Sequence, residues 1–585
     1  MTVMTGGQVI AKMLKAEGVS KLFGIPDGTY MGLLTAMIEL GIELITPRHE
    51  TTSAHMAGAY ARLTGKLGVC LASNGPGVAN VLPGVAVENS EGNRVLLITS
   101  YRRPQISYPD RGGAYQYFNQ VGVIKPMAKW SGAIKSFDRI PEMMRRAMRK
   151  SWQGRPGVVH LDVPENLMNV KDKANEAGMV PPSRYRSMEP LHPSPGQVKA
   201  AAVMLARAEL PIIHAGSGII HSASYDELAR VAELLHAPVT TSWSGRGNLV
   251  ETHELSWPMV HVKACHKLHN AADLVLCLGS RMGETDWWGM APAWRLASEQ
   301  KMIQVDIDPE NLGLNKPVDL AVMADVKVFL GDLATVLTEM TDSIHLSARK
   351  EAVDKLARDR DNDRARLDEK LNNEKTPMIT AHIPSTCDRV FDDDAVVVFD
   401  GGNTSVWGNF YHRIRTPNTE LATHHFGHLG AGIGQALGAA AARPEKQVYC
   451  IIGDGAFGFH PQEIETAVRH DLPVIFLVAC DRQWGMVKMT QQITLKPIKT
   501  MMRKSLSPDE TINADLGEVR WDKVAQAMGA HGDRVSAPDE LEAAIKRALE
   551  TGKCSVIQVD VDPVKHMWAP GLMHFKNMHK EPRGK

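Results

Sequence analysis

Seven cysteines, odd in number and scattered through 585 residues, are too few and too irregular for a disulfide framework; they point to a reducing compartment. No excess of either charge exists, because Lys+Arg and Asp+Glu both total 66. Without a net field, neither nucleic acid nor an anionic membrane surface is favoured as a partner. No apolar run approaches the ~18 residues of a membrane span, the longest lying around residues 471–480. The N-terminus lacks a charged segment followed by an apolar one, so no secretory signal is expected. No short-period repeat is present. What remains is 44% hydrophobic and 23% charged residues, the balance expected of a cytoplasmic α/β protein. Its length suits about three to four domains of ordinary size.

The chain alternates helical and strand patterns, which predicts βα units and parallel sheets. In the first block, residues 6–19 are amphipathic, 21–26 and 43–47 read as strands, and 49–65 form a small-residue helix leading into strand 67–73. Residues 154–167 close that block with a strand and a turn, and the Pro-rich stretch 179–196 reads as a linker. A second block carries strands near 210–218, 237–243, 272–280 and 301–309; a third carries them near 395–400, 447–454, 472–479 and 555–563. Between the two, residues 347–374 are dense in charges of mixed sign and read as a solvated crossing helix.

Two strand ends in the third block attract chemistry. One stops at Gly453-Asp454-Gly455, and the next at Cys480-Asp481-Arg482. Ligands of open parallel sheets bind at the C-terminal strand edge. Two carboxylates at neighbouring tips suit a hard cation with oxygen ligands, which often carries a phosphate. The bland alternative is a turn at the glycines and a helix cap at Asp481. Glu50 sits where a strand passes into a helix, a place the helix dipole favours for any acid. His424, His425 and His428, close in sequence but without further ligands, read as non-metal histidines.

Taken together, five segments in order resemble the three-domain thiamine-diphosphate enzymes of the acetolactate synthase, pyruvate oxidase and benzaldehyde lyase group. They are "RHETTSAHMAGAYARLTG", "SNGPGVAN", "AYQYFNQVG" with its later "KW", "HHFGHLGAG" and "GDG" with "CDRQWGM". The likeness runs from about residue 4 to 563. It implies three doubly wound parallel-sheet α/β domains: a pyrimidine-binding domain over 1–185, a nucleotide-binding-like central domain over 190–345, and a diphosphate- and metal-binding domain over 377–563. A charged linker (346–376) and a basic C-terminal tail (564–585) complete the chain.

The resemblance also assigns residues. Glu50 is the catalytic glutamate that acts on the aminopyrimidine, Gln116 the active-site glutamine, Leu429 the wedge between the cofactor's rings, and His428 a group that could face the substrate. Gly28, Gly75, Pro76, Gly77, Gly427, Leu429, Gly453, Asp454, Gly455, Ala456, Asp481, Gln483, Trp484, Gly485 and Met486 would hold thiamine diphosphate. Mg²⁺ would be held by Asp454, Asp481 and the carbonyl of Gln483. The family's Asn-Asn pair is Cys480-Asp481 here, and Arg482 could offset the added charge. Other departures are Asp27 for a glycine, Asn74 for a serine, Tyr117 for a glutamate, and Thr490 for the tryptophan that selects the acceptor.

The central domain keeps Gly279, Arg281 and Glu284 of the family's flavin contacts, which leaves FAD or ADP open. The implied activity is a decarboxylase/carboligase acting on a small 2-oxo acid through an enamine on the cofactor. The alternatives are a carbon–carbon lyase of the acyloin or 2-hydroxyacyl-CoA type, and a non-catalytic regulatory homologue. The implied assembly is a homodimer or homotetramer with active sites at the subunit interface.

Overall fold

The computed structural model describes residues 2–574. Three six-stranded sheets, parallel throughout, form three α/β domains. In the first, the strands run Glu43–Ile45, Lys21–Gly24, Gly68–Ala72, Val95–Tyr101, Val158–Pro164 and Trp130–Ala133 across the sheet. In the third the order is Glu420–Leu421, Val396–Asp400, Val448–Gly453, Val474–Cys480, Ser555–Asp560 and His531–Val535. All seven residues of Val474–Cys480 are buried, because helices cover both faces; this is why it reads as one unbroken apolar run. The central sheet is built around Pro211–Ala215, Leu274–Leu278 and Lys301–Asp306.

Most inner strands coincide with the expected ones, but Val95–Tyr101, in the middle of the first sheet, was not among them, and each sheet also has edge strands that the sequence pattern does not show. Trp130–Ala133, Ser256–Trp257, Leu320–Met323, Glu420–Leu421 and His531–Val535 are short or polar. Their pairing with a formed neighbour, not their own pattern, makes them strands. An antiparallel ribbon of Val3–Thr5 with Lys171–Lys173 was also unforeseen.

First and third domains share one apolar core. Its centre is the contact between helices Glu50–Thr64 and Ala431–Ala442, whose small residues allow close approach. A Cβ at Gly438 would collide with the Met56 carbonyl oxygen, and one at Gly434 would lie 2.8 Å from the Cβ of His55.

Two segments differ from expectation. The charged stretch is indeed a helix, Leu346–Asp368, yet it is not wholly solvated. Arg349 is 1% exposed and donates to the carbonyls of Leu205, Ala206, Ala208 and Leu235, which end two helices of the central domain. The stretch read as the start of a basic tail is folded: Pro563–Met567 is helical, and His566, Met567 and Leu572 are buried. The remainder of that tail, with Lys576, Lys580, Arg583 and Lys585, lies outside the described residues. Among the described residues no helix is long and apolar enough to cross a membrane.

Candidate active site

Strands Val448–Gly453 and Val474–Cys480 are neighbours in register, with Gly453 opposite Ala479. Their tips therefore bring Asp454 and Asp481 together, each 8% exposed. Asp454 accepts from the backbone N–H of Arg482 through Oδ2 (3.0 Å) and of Gly455 through Oδ1 (2.9 Å). Asp481 Oδ2 is buried with no hydrogen-bond partner, and His566 Nε2 lies 3.8 Å away. Burial pushes both carboxyls up to about 7, and the neighbouring Asp481 raises Asp454 further. His566 is driven down to about 4 by burial, so it stays neutral and leaves the pair without a cation.

Arg482 does not supply one either. Its backbone, at φ +57°, turns an N–H toward Asp454, while its guanidinium reaches Asp560 and Glu518.

An orphaned carboxylate oxygen beside a second carboxylate is the donor set of a hard divalent cation. No group of three or more His, Cys, Asp or Glu able to hold a metal exists among the described residues, so the remaining ligands would be neutral oxygens. Gln483 follows directly, 6% exposed, its side-chain amide donating to the Pro563 carbonyl.

Glycines leave space around these carboxylates. At Gly485 a Cβ would sit 2.6 Å from Asn403 Nδ2 and 3.2 Å from Asp481 Oδ2; at Gly453 it would lie 2.9 Å from Thr404 Oγ1. The Trp484 ring covers Gly455 and Met486 covers Gly402. Ala456 is buried behind them. Asn403, whose Oδ1 is buried and unpartnered, and His566 were not anticipated. A signal existed for the first, because Asp400-Gly401-Gly402 repeats the pattern of a strand ending in Asp-Gly.

The loop before Ala431–Ala442 carries Gly427 and Gly430 at positive φ (65° and 87°). Leu429 between them is half-buried against the shared core. The Glu91 carboxylate, from the first domain, accepts from the N–H groups of His425 and Phe426 and fixes this loop. His428 turns toward His55, ring centroids 5.7 Å apart, and burial lowers it to about 4. His424 bonds Glu420, and His425 bonds Ser244.

In the first domain, Glu50 opens its helix at 9% exposure and accepts from Asn80 Nδ2 (3.0 Å). Gly77, whose Cβ would be 3.4 Å from Glu50 Oε1, leaves the carboxylate open on that side, and Pro76 begins the next helix. Asp27, half-buried, caps the turn Gly28–Tyr30 by accepting from the backbone N–H of Thr29 (2.8 Å). Gln116 holds a left-handed backbone (φ 56°), rare for a residue with a Cβ, and lies directly on Gly75. Tyr115 is 74% exposed, whereas Phe118 packs on the core. Glu50 thus meets Asn80 and Gly77 of the first domain, and the Asp454–Asp481 pair meets Arg482 and His566 of the third.

A separate cavity of about 860 Å³ opens between the first and central domains. Arg94, Arg155, Arg186 and Arg281 line it, with Asp306 at a strand tip. Gly218 and Gly279 pass so closely that a Cβ on the first would be 2.6 Å from the second. Met282, Trp287 and Trp288, in the loop bordering it, all have positive φ. Glu284 and Trp288 also line it.

Comparison with known proteins yields three consecutive family matches. "Thiamine pyrophosphate enzyme, N-terminal TPP binding domain" covers residues 4–123, the family's central domain 198–333, and "C-terminal TPP binding domain" 400–559. A probable acetolactate synthase large subunit of Methanocaldococcus jannaschii is 29% identical, over 96% of this chain and 93% of its own. A sulfoacetaldehyde acetyltransferase of Alcaligenes xylosoxydans is 28% identical, over 95% and 93%. A 2-hydroxyacyl-CoA lyase of Arabidopsis thaliana is also 28% identical, over 97% of both chains.

Proposed function

The chain belongs to the thiamine pyrophosphate enzymes, within the acetolactate synthase group, and on that premise we propose that it is a carboligase that decarboxylates a small 2-oxo acid and joins the remaining fragment to a second carbonyl compound. Asp454, Asp481 and Gln483 would hold Mg²⁺ and, through it, the cofactor's diphosphate. When bound, thiamine diphosphate supplies a carbon nucleophile and an electron sink for breaking the bond next to a carbonyl. The protein's own residues do the rest. Glu50, steadied by Asn80, holds a proton on the pyrimidine side. Leu429, half-buried against the core shared by the first and third domains, supplies an apolar surface.

The observation that carries this reading is the pair of buried, cation-free carboxylates at adjacent strand tips, one with an orphaned oxygen. The departure at Thr490, exposed in the chain, supports an acceptor other than that of a biosynthetic acetolactate synthase. We read the active unit as a homodimer or homotetramer. Ile498, Met501 and Met502, which follow the Trp484 segment, are 75%, 74% and 79% exposed, an apolar patch that a second subunit would cover. The four arginines around the 860 Å³ cavity support a nucleotide diphosphate there, FAD or ADP; the visible absorbance of the purified protein separates the two.

The test is a screen of the protein, with thiamine diphosphate and Mg²⁺, over 2-oxo acids, aldehydes, sulfoacetaldehyde and 2-hydroxyacyl-CoA esters. Release of CO₂ with formation of a new carbon–carbon bond is expected. Cleavage of hydroxyacyl-CoA without decarboxylation would transfer the assignment to a lyase.

A further inference from the structure

We propose that Asp400 is a positioning residue whose carboxylate fixes the loop 425–432 and, through it, Leu429. It holds the loop from the tip of strand Val396–Asp400, opposite Glu91 of the first domain. The inference rests on the carboligase reading, in which Leu429 supplies an apolar surface, and adds the group that keeps that surface in place.

The helix Ala431–Ala442 starts from Gly430, a residue with no side chain to accept the first N–H groups. Those groups need an acceptor from elsewhere. Asp400 supplies it from a different element: Oδ2 accepts from the N–H of Gly432 (2.8 Å), and Oδ1 from that of Gly401 (2.5 Å). The helix dipole favours an anion at this end as well. Asp400 is 4% exposed. Burial pushes it up to about 7, and the groups acting against that shift are the backbone N–H groups of Gly432, Gly401 and Gly430. With both oxygens engaged by amides, the carboxylate ties the start of the helix to the end of its own strand.

Close contacts remove the remaining freedom. A Cβ at Gly432 would stand 2.6 Å from the Asp400 Cβ, and one at Gly430 would stand 2.6 Å from the Phe459 Cβ. Gly430 lies at φ 87°, a conformation that any side chain would strain. At the other end of the loop, Glu91 Oε1 accepts from the N–H groups of His425 (2.8 Å) and Phe426 (3.2 Å). Between them the Gly427 N–H donates to the Thr423 carbonyl (2.8 Å). Leu429 thus sits midway between two carboxylate anchors, three residues after Phe426 and three before Gly432. The shared core lies behind it. One anchor comes from each domain, so both must be in place for the leucine to keep its position.

The experiment compares wild-type holoenzyme with Asp400→Asn, Leu429→Ala and the double variant Asp400→Asn/Leu429→Ala. The donor is pyruvate or 2-oxobutyrate, whichever the wild type turns over faster. Asp400→Asn keeps the shape but turns an NH₂ group toward one of the two N–H groups, so one tether is lost. Its kcat should fall about ten- to hundredfold, the cost of a displaced reacting geometry. The same change in the Leu429→Ala background should add nothing. Affinity for thiamine diphosphate, anchored at Asp454 and Asp481, should hold. Hydrogen exchange across residues 425–432 of the cofactor-free protein should quicken about tenfold, the worth of one hydrogen bond. Gly432→Ala, which presses on Asp400 from the loop side, guards against misfolding of the Asn variant and should reproduce both the slower turnover and the faster exchange. An unchanged kcat, additive losses, a fall in cofactor affinity that matches the fall in kcat, or unaltered exchange would each overturn the inference while leaving the carboligase reading intact. A wild type that turns over neither donor would remove both.

Discussion

Glu50 and the Asp454–Asp481 pair are all buried carboxylates, but their partners differ, and so do the expected effects of change. Glu50→Gln keeps a partner for Asn80 and removes only the proton-holding role. Turnover should drop by about 10²–10⁴ with the melting temperature unchanged, as steady-state rates and a thermal melt will report. Near-normal rates would strip Glu50 of its part. Asp481→Asn keeps an oxygen ligand and relieves like-charge repulsion. The metal-free variant should melt higher than wild type and still bind Mg²⁺ by calorimetry, whereas lost binding would contradict the assigned ligand set. These three residues were legible in the sequence because each marks the end of a strong apolar strand or the start of a helix. Asn403 and His566 were not: they reach the same point from the end of one strand and from a segment that read as a tail, and only the fold brings them together. The role of Arg482 was misjudged for a related reason, since adjacency in sequence says nothing of where a guanidinium turns.

At the scale of elements, the helix Pro76–Glu91 carries two buried carboxyls into the contact between first and third domains. Glu88 is pushed up to about 8 by burial and shares its proton with His55, which burial drives down to about 3. The folded state therefore holds a proton on Glu88 that the unfolded state has released. This contribution to stability is complete below the ordinary carboxyl range and is lost as pH rises toward 8, at up to about 1.4 kcal/mol per unit. Glu88→Gln, which has no proton to lose, should gain in melting temperature over wild type as pH rises from 5.5 to 8; a constant difference would refute the protonated pair. The helix pair of Glu50–Thr64 and Ala431–Ala442 yields a second test. Gly438→Ala puts a methyl group onto the Met56 carbonyl and should destabilise by about 1–3 kcal/mol in denaturant melts; a neutral result would show the helices to be looser than described. Most long inner strands were visible in the sequence because apolar run and length agree, Val95–Tyr101 being the exception, whereas edge strands such as His531–Val535 have no apolar pattern to see. The buried Arg349 was hidden in a run of charges, because what buries it is the ends of helices far off in sequence.

For the whole molecule, two expectations depend on surfaces that one chain leaves incomplete. Light scattering should give two or four times the chain mass, and a monomer that remains active would remove the intersubunit arrangement. The central cavity was only partly foreseen: its glycine and arginine came from the central domain's sequence, but Arg94, Arg155 and Arg186 come from the first domain and the linker, which no local pattern announces. The central claim is that Asp454 and Asp481 clamp one divalent cation that tethers the cofactor. Titration of the protein with thiamine diphosphate, followed by tryptophan fluorescence with and without Mg²⁺, tests it most directly, because Trp484 covers Gly455 beside the pair. Saturable quenching that requires Mg²⁺ and vanishes in Asp454→Ala is the predicted result. Binding indifferent to Mg²⁺, or unimpaired in that variant, would contradict it.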